Sequence, residues 1–282
     1  MQAFLDFFEF MPIWQKLIWV VGVISFFWIL EGYYTFVKSA YKKWKHAKTN
    51  LILLLFVMII NTVFGLATAG VFLWLEEHNF GILYLFELPI WIELFIAILV
   101  LDLIAQYGVH YLLHKIKWMW RLHTVHHSDT HVDTTTGTRH HPIDFIIRES
   151  FALLAVIITG MPISFYFLYR ILTVFFTYFT HANISLPQGW DKTLSYVIVT
   201  PVMHKFHHHH KMPWTDTNYG NIFSIWDRLF GTFLYKDPKD IVFGLDITDH
   251  FYDENLNYQL RLPFNKGINY KKKADNYSKY SF

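Results

Sequence analysis

Three long apolar stretches constrain this chain most. Residues 16–37, KLIWVVGVISFFWILEGYYTFV, carry a single charge, Glu31, after their first lysine. Residues 50–75 carry none, and residues 80–114 are apolar for most of their length. A bilayer crossing needs about 20 apolar residues, so the sequence predicts three membrane spans. The first lacks a basic leader and a small-residue cleavage site, and so reads as a retained span. Only 16% of the residues are charged, against about 25% in soluble domains. The net charge of +2 is too small to point to a nucleic-acid partner. The absence of cysteine excludes disulfides, thiolate metal sites and cysteine nucleophiles.

Residues 145–180 are apolar too, but Gly160, Met161 and Pro162 interrupt them. Proline disfavours helix at the residue before it and has no N–H to donate. The sequence therefore predicts a hairpin of two short arms, 146–159 and 163–180, whose turn stops short of the far side. Five lysines in 38–48, and the basic runs at 114–121 and 271–273, set the orientation. The positive-inside rule places these segments, and the histidines near them, in the cytoplasm. The expected architecture is all-α: a multi-pass membrane bundle with a cytoplasmic helical cap, one domain over 1–264 and a polar tail over 265–282.

Of 17 histidines, 14 lie between His110 and His210. Three groups have ligand spacing: His110 with His114; His123, His126 and His127; and His204, His207 and His208. Residues i, i+3 and i+4 share a helix face, so each triplet can aim three imidazoles at one point. Eight imidazoles suffice for two metal ions, and neutral imidazole suits iron, zinc, copper and nickel. The run of four histidines at 207–210 leaves His204, His208 and His209 as an alternative set. His141 and His181 flank the apolar hairpin, which would return both to the cluster. His140 ranks behind His141, and His131 is a weaker candidate. His46, His78 and His250 are isolated.

Asp102, Gln106, His110 and His114 recur every four residues and form one stripe. A carboxylate within a span is costly and usually functional. Asp102 is the one candidate catalytic side chain, either supporting the ligands from behind, lining a substrate channel, or simply capping a polar cavity.

WRLHTVHHSD (120–129), RHHP (139–142), TPVMHKFHHHH (200–210) and TDTNYGNIFSIWDRLFGTF (215–233) together resemble the fatty acid hydroxylase superfamily over roughly 100–235. That group includes sterol desaturases, sterol methyl oxidases and alkylglycerol monooxygenase. The resemblance implies that the eight box histidines bind two iron ions, with His141 and His181 where members often place further histidines. It implies an O2-dependent lipid hydroxylase or desaturase, with zinc able to occupy the site in a purified sample. No heme, flavin or iron–sulfur motif is present in the sequence. Electrons would then come from a cytochrome b5-like protein, a ferredoxin or a reductase. The alternative is a histidine-rich metal-binding protein or metal transporter without oxidase activity.

Overall fold

The computed structural model describes residues 1–187, 189–210, 214–236, 241–248 and 250–270. Among these, regular structure is helical, with only three isolated β-bridges. A short helix α1, Gln2–Glu9, precedes α2, Ile13–Tyr33, and the long α3, Lys43–His78. Helix α4, Ile90–Leu101, runs through π-helical turns at Asp102–Gly108 into α5, Val109–Lys115. Helices α7, Pro142–Thr159, and α8, Ile163–His181, form the hairpin. The cap comprises α6, Lys117–His127; α9, Trp190–Leu194; α10, Pro201–His207; α11, Ile225–Leu229; and α12, Leu256–Arg261.

Among the described residues four helical stretches are long and apolar enough to cross a membrane: Ile13–Tyr33, Lys43–Leu85, Ile90–Lys115 and Ile163–His181. Their outer faces expose Ile18, Val21, Ile59, Val63 and Leu66. A helix apolar on its outward face belongs against lipid. The third span starts ten residues later than the apolar run does. Gly81 has a positive φ of 124°, a 3-10 turn covers Ile82–Leu85, and Pro89 sits at the N-terminal cap of α4.

The hairpin breaks where the sequence predicts, but its turn does not stop short. Gly160 ends α7 in the left-handed conformation, φ 65°, and Pro162 caps α8. The turn docks on the loop joining α3 to α4. A Cβ on Gly81 would stand 2.3 Å from the Gly160 nitrogen, and one on Gly160 would stand 2.1 Å from the Phe80 carbonyl oxygen. The arms therefore run the full depth of the bundle, and both return to the end that carries the histidines. Around the turn, Met161 and Phe165 pack with Leu75, Leu83, Leu101 and Ile222 in the main apolar core.

Three buried ionisable side chains join the cap to the spans. Glu31, 2% exposed, accepts from the Thr134 N–H and hydroxyl at 2.6 Å each and from the Asn183 N–H at 2.8 Å. Arg139 donates to the Val125 and Asp253 carbonyls, to Asn50 Oδ1 and to Ser128 Oγ. Lys205 Nζ donates to the carbonyls of His181 and Ala182. Buried cations can be satisfied by carbonyl oxygens at chain turns, as here, although each is costly alone. Of the expected polar tail, 265–270 packs back: the Tyr270 hydroxyl donates to the Leu262 carbonyl at 2.6 Å, and Arg121 lies over its ring. Residues 271–282 lie outside the described residues.

The glycine contact yields a test. Gly81→Ala combines a backbone conformation unfavourable to L side chains with a clash against Gly160 backbone. A cost of about 3 kcal/mol is expected, read as a lowered midpoint of thermal unfolding in detergent. An unchanged midpoint would contradict the docking of the turn.

Candidate metal centre

Helix geometry brings the boxes together. On α6 the spacing i, i+3, i+4 puts His123, His126 and His127 on one side, and all three are buried. Helix α10 opens with Pro201 at its first position and Thr200 as the cap, its hydroxyl accepting from the Met203 N–H. That start sets the register of the third box: His204 and His207 lie in the helix and His208 at its C-terminal cap. His209 leaves the helix and bridges Phe243, and the His210 N–H donates to the Val242 carbonyl. The alternative set with His209 is not the one assembled.

Two buried groups result. In the first, His110, His114, His123, His127 and His207 place one nitrogen each within 4.8 Å of all the others. In the second, His126, His181, His204 and His208 do the same. Closest approaches are Nε2 to Nε2: His110 to His123 at 3.1 Å, His114 to His127 at 3.1 Å, His126 to His181 at 3.1 Å, and His181 to His204 at 3.0 Å.

The partners behind the rings fix their tautomers. His110 Nδ1 donates to the Tyr219 carbonyl at 2.9 Å, and His207 Nδ1 to the Thr217 carbonyl at 2.7 Å. His181 Nδ1 donates to the Thr177 carbonyl at 2.7 Å, and His126 Nδ1 lies 3.3 Å from that of Arg139. His114 Nδ1 faces Asp216 at 3.1 Å, and His123 Nδ1 faces Asp144 at 3.3 Å. A neutral imidazole that donates through Nδ1 presents a bare lone pair at Nε2. In the His110–His123 and His126–His181 pairs, where both Nδ1 atoms are so committed, bare nitrogens stand 3.1 Å apart and repel unless a cation lies between them. His208 adds two buried nitrogens without hydrogen-bond partners.

Protons are poorly suited to that place. Burial pushes His123 down to about 4, against an upward pull from Asp144. Burial, then repulsion from neighbouring imidazoles, holds His126, His127, His204 and His208 well below the ordinary value. Neutral imidazoles converging in two sets, with carbonyls and carboxylates behind, are the donor set a pair of borderline metal ions requires.

Nine of the ten expected histidine ligands are thus brought into the two groups. His141 is not. Pro142 starts α7, so His141 becomes its N-terminal cap: Nδ1 accepts from the Ile143 N–H and Nε2 donates to the Leu260 carbonyl. Its neighbour His140 stands by the site instead, stacked on His126 with centroids 4.6 Å apart and bonded to Asp144 at 3.0 Å. His131 stacks on Tyr41 away from both groups. His46, given no role from sequence, is fully buried beside Asp129 and Asp133.

Asp102 touches no histidine. It accepts from Tyr169 Oη, the backbone N–H groups of Ile222 and Phe223, and Trp226 Nε1. The carboxylates that do support the rings, Asp144 and Asp216, were not among the expected site residues. Nor was Asp227, which accepts from the Tyr219 and Gly220 N–H groups and so holds the loop whose carbonyl receives His110. Only the resemblance of 215–233 pointed towards Asp216 and Asp227.

The fatty acid hydroxylase family profile matches residues 94–232, the stretch that carries all three boxes. The chain belongs to the fatty acid hydroxylase superfamily. It is 30% identical over 166 residues to the ornithine lipid hydroxylase OlsE of Rhizobium tropici, covering 58% of this chain and 49% of that protein. It is 27% identical to the alkylglycerol monooxygenase of Caenorhabditis elegans, over 51% of this chain and 28% of that one. With the methylsterol monooxygenase 2-2 of Arabidopsis thaliana it shares 28% identity, over 64% and 66%. The chain thus spans about half or less of the length of the first two relatives. No solved structure matches it.

Two outcomes follow from the geometry. His181→Ala should lower the metal content of the purified protein, whereas His141→Ala should leave it at the wild-type level; equal losses in elemental analysis would contradict the grouping. In metal-free protein the histidines with lowered pKa favour the folded state while neutral. Their contribution is complete above the ordinary value of 6.5 and is lost as pH falls below it. Thermal midpoints of chelator-treated protein should therefore fall steadily from pH 6.5 downward, and a flat profile from pH 7 to 5 would contradict buried neutral imidazoles.

Proposed function

We propose that this chain is an O2-dependent di-iron hydroxylase of a membrane lipid. The observation that carries the reading is the pair of converging imidazole sets at one end of apolar spans. The names of its relatives, lipid hydroxylases and monooxygenases, point the same way. His110, His114, His123, His127 and His207 would hold one iron, and His126, His181, His204 and His208 the other. Bound iron supplies the O2 activation needed to attack an unactivated C–H bond, which zinc, lacking redox chemistry, cannot supply.

The protein's own task is placement. Nine neutral ligands leave the metal charge uncancelled, so Asp144 and Asp216, behind His123 and His114, supply the nearest compensation. Carbonyls behind His110, His126, His181 and His207 hold the other rings in the tautomer that binds metal. Burial of the groups keeps water from competing for the oxidant. The substrate enters sideways from the bilayer and presents its reactive carbon at the cytoplasmic boundary, where the positive-inside rule puts the histidines. Hydroxylation converts R–H, O2, two electrons and two protons into R–OH and water. The electrons come from an external donor such as a cytochrome b5-like protein, a ferredoxin or a reductase.

The reading is tested with iron-loaded protein in nanodiscs containing a total lipid extract, a chemical reductant and O2. Lipids gaining one oxygen atom, with matching O2 uptake, are expected. His207→Ala should abolish both, and outer carboxylate changes such as Asp216→Asn should lower the rate by about 10–100-fold. Iron-replete protein that oxidises no lipid in the extract would contradict the proposal.

A further inference from the structure

The segment that follows the third box runs along the third span. Asp216 meets His114, the Tyr219 carbonyl meets His110, and Ile222, Phe223 and Trp226 meet Asp102. As the segment advances from 216 to 226, its partners on the span step back from 114 to 102. The chain then turns through α11 and returns: Phe230 stacks on Tyr107 at 5.2 Å, Thr232 Oγ1 lies 3.1 Å from Tyr107 Oη, and the Leu234 N–H donates to Asn218 Oδ1. About 20 residues from Ile90 fill the hydrocarbon core, which ends near His110. Asp102 lies eight residues, about 12 Å, inside that boundary.

We propose that residues 216–234 are a re-entrant loop seated in the bilayer leaflet on the histidine side, with the α11 tip in contact with lipid acyl chains. The tip's outward side chains are apolar: Ile225 is 50% exposed, Leu229 67% and Phe230 54%. On the same span, Trp91 and Phe95 of α4 are exposed as well. Behind them, Ile222 and Phe223 pack into the core of the membrane helices.

Irregular backbone survives at membrane depth only where its polar groups are satisfied within the protein. Here they are. Asp102 takes the N–H groups of Ile222 and Phe223, and Asp227 takes those of Tyr219 and Gly220. The Val199 N–H donates to the Ile222 carbonyl, and the Ser224 N–H to that of Val197. The one cation at the described tip, Arg228, folds back onto the Ser195 carbonyl and the faces of Tyr196 and Phe233. This accounts for a carboxylate in the middle of a span: Asp102 is the anchor of the loop. Tyr219, near the start of the loop, lies beside His110, His114 and His207, so the lipid-facing tip and the first histidine group are joined by one short segment.

The chain has no cysteine, so single-cysteine variants take a fluorescent probe without background. Leu229→Cys and Phe230→Cys, labelled with an environment-sensitive dye, are compared in nanodiscs with Leu66→Cys in α3 and with Asn257→Cys, exposed in α12. Dye at 229 and 230 should show blue-shifted emission, quenching by doxyl-labelled phosphatidylcholine as at 66, and loss of the iodide quenching seen at 257. Iodide quenching at 229 and 230 equal to that at 257 would overturn the proposal. Wild-type metal content in each labelled variant confirms its fold. The readout is depth, not turnover, so it stands or falls independently of the oxidation chemistry.

Discussion

Mutual repulsion of imidazole lone pairs is the constraint on which the rest of this structure depends. Nε2 atoms meet at 3.0–3.1 Å in both groups, and in the His110–His123 and His126–His181 pairs both Nδ1 atoms face carbonyl or carboxylate acceptors. Cations placed between those nitrogens relieve the repulsion. Helices α5, α6, α8 and α10 must therefore be held in place by interactions strong enough to keep the rings converged.

The buried charges do that holding. Lys205 ties box three to the last carbonyls of α8 and so places His181 against His204. Burial lowers this lysine to about 8, so it stays charged at neutral pH, and the two carbonyls satisfy it. Arg139 ties the end of α6 to α3 through Asn50, and its own carbonyl receives His126. Glu31 fastens α2 to the loops at Thr134 and Asn183. Each of these groups bonds to backbone, so the positions of helix ends, rather than side-chain pairs alone, are fixed.

Much of this was legible in the sequence because two periodicities are simple. Apolar runs of span length announce membrane helices, and H-x-x-H-H announces one helix face. Gly160 and Pro162 mark the hairpin because both act locally on the backbone. What failed depended on detail beyond periodicity. His141 and His140 are neighbours of one type, and Pro142 decides between them by making His141 the helix cap. The depth of the hairpin turn is set by Gly81, a residue remote in sequence. Asp102 lies on the expected stripe, yet its partners come from 222–226, which no spacing rule connects to it. Asp144, Asp216 and Asp227 look like ordinary acidic residues until the fold places them behind the rings or the loop.

The central claim is that two metal ions are held almost wholly by imidazole. X-ray absorption at the iron edge of iron-loaded protein in nanodiscs tests it most directly. The account predicts a shell of nitrogen neighbours at about 2.0–2.2 Å with the outer-shell pattern of imidazole rings. A shell dominated by oxygen, as for water- or carboxylate-bound iron, would contradict it.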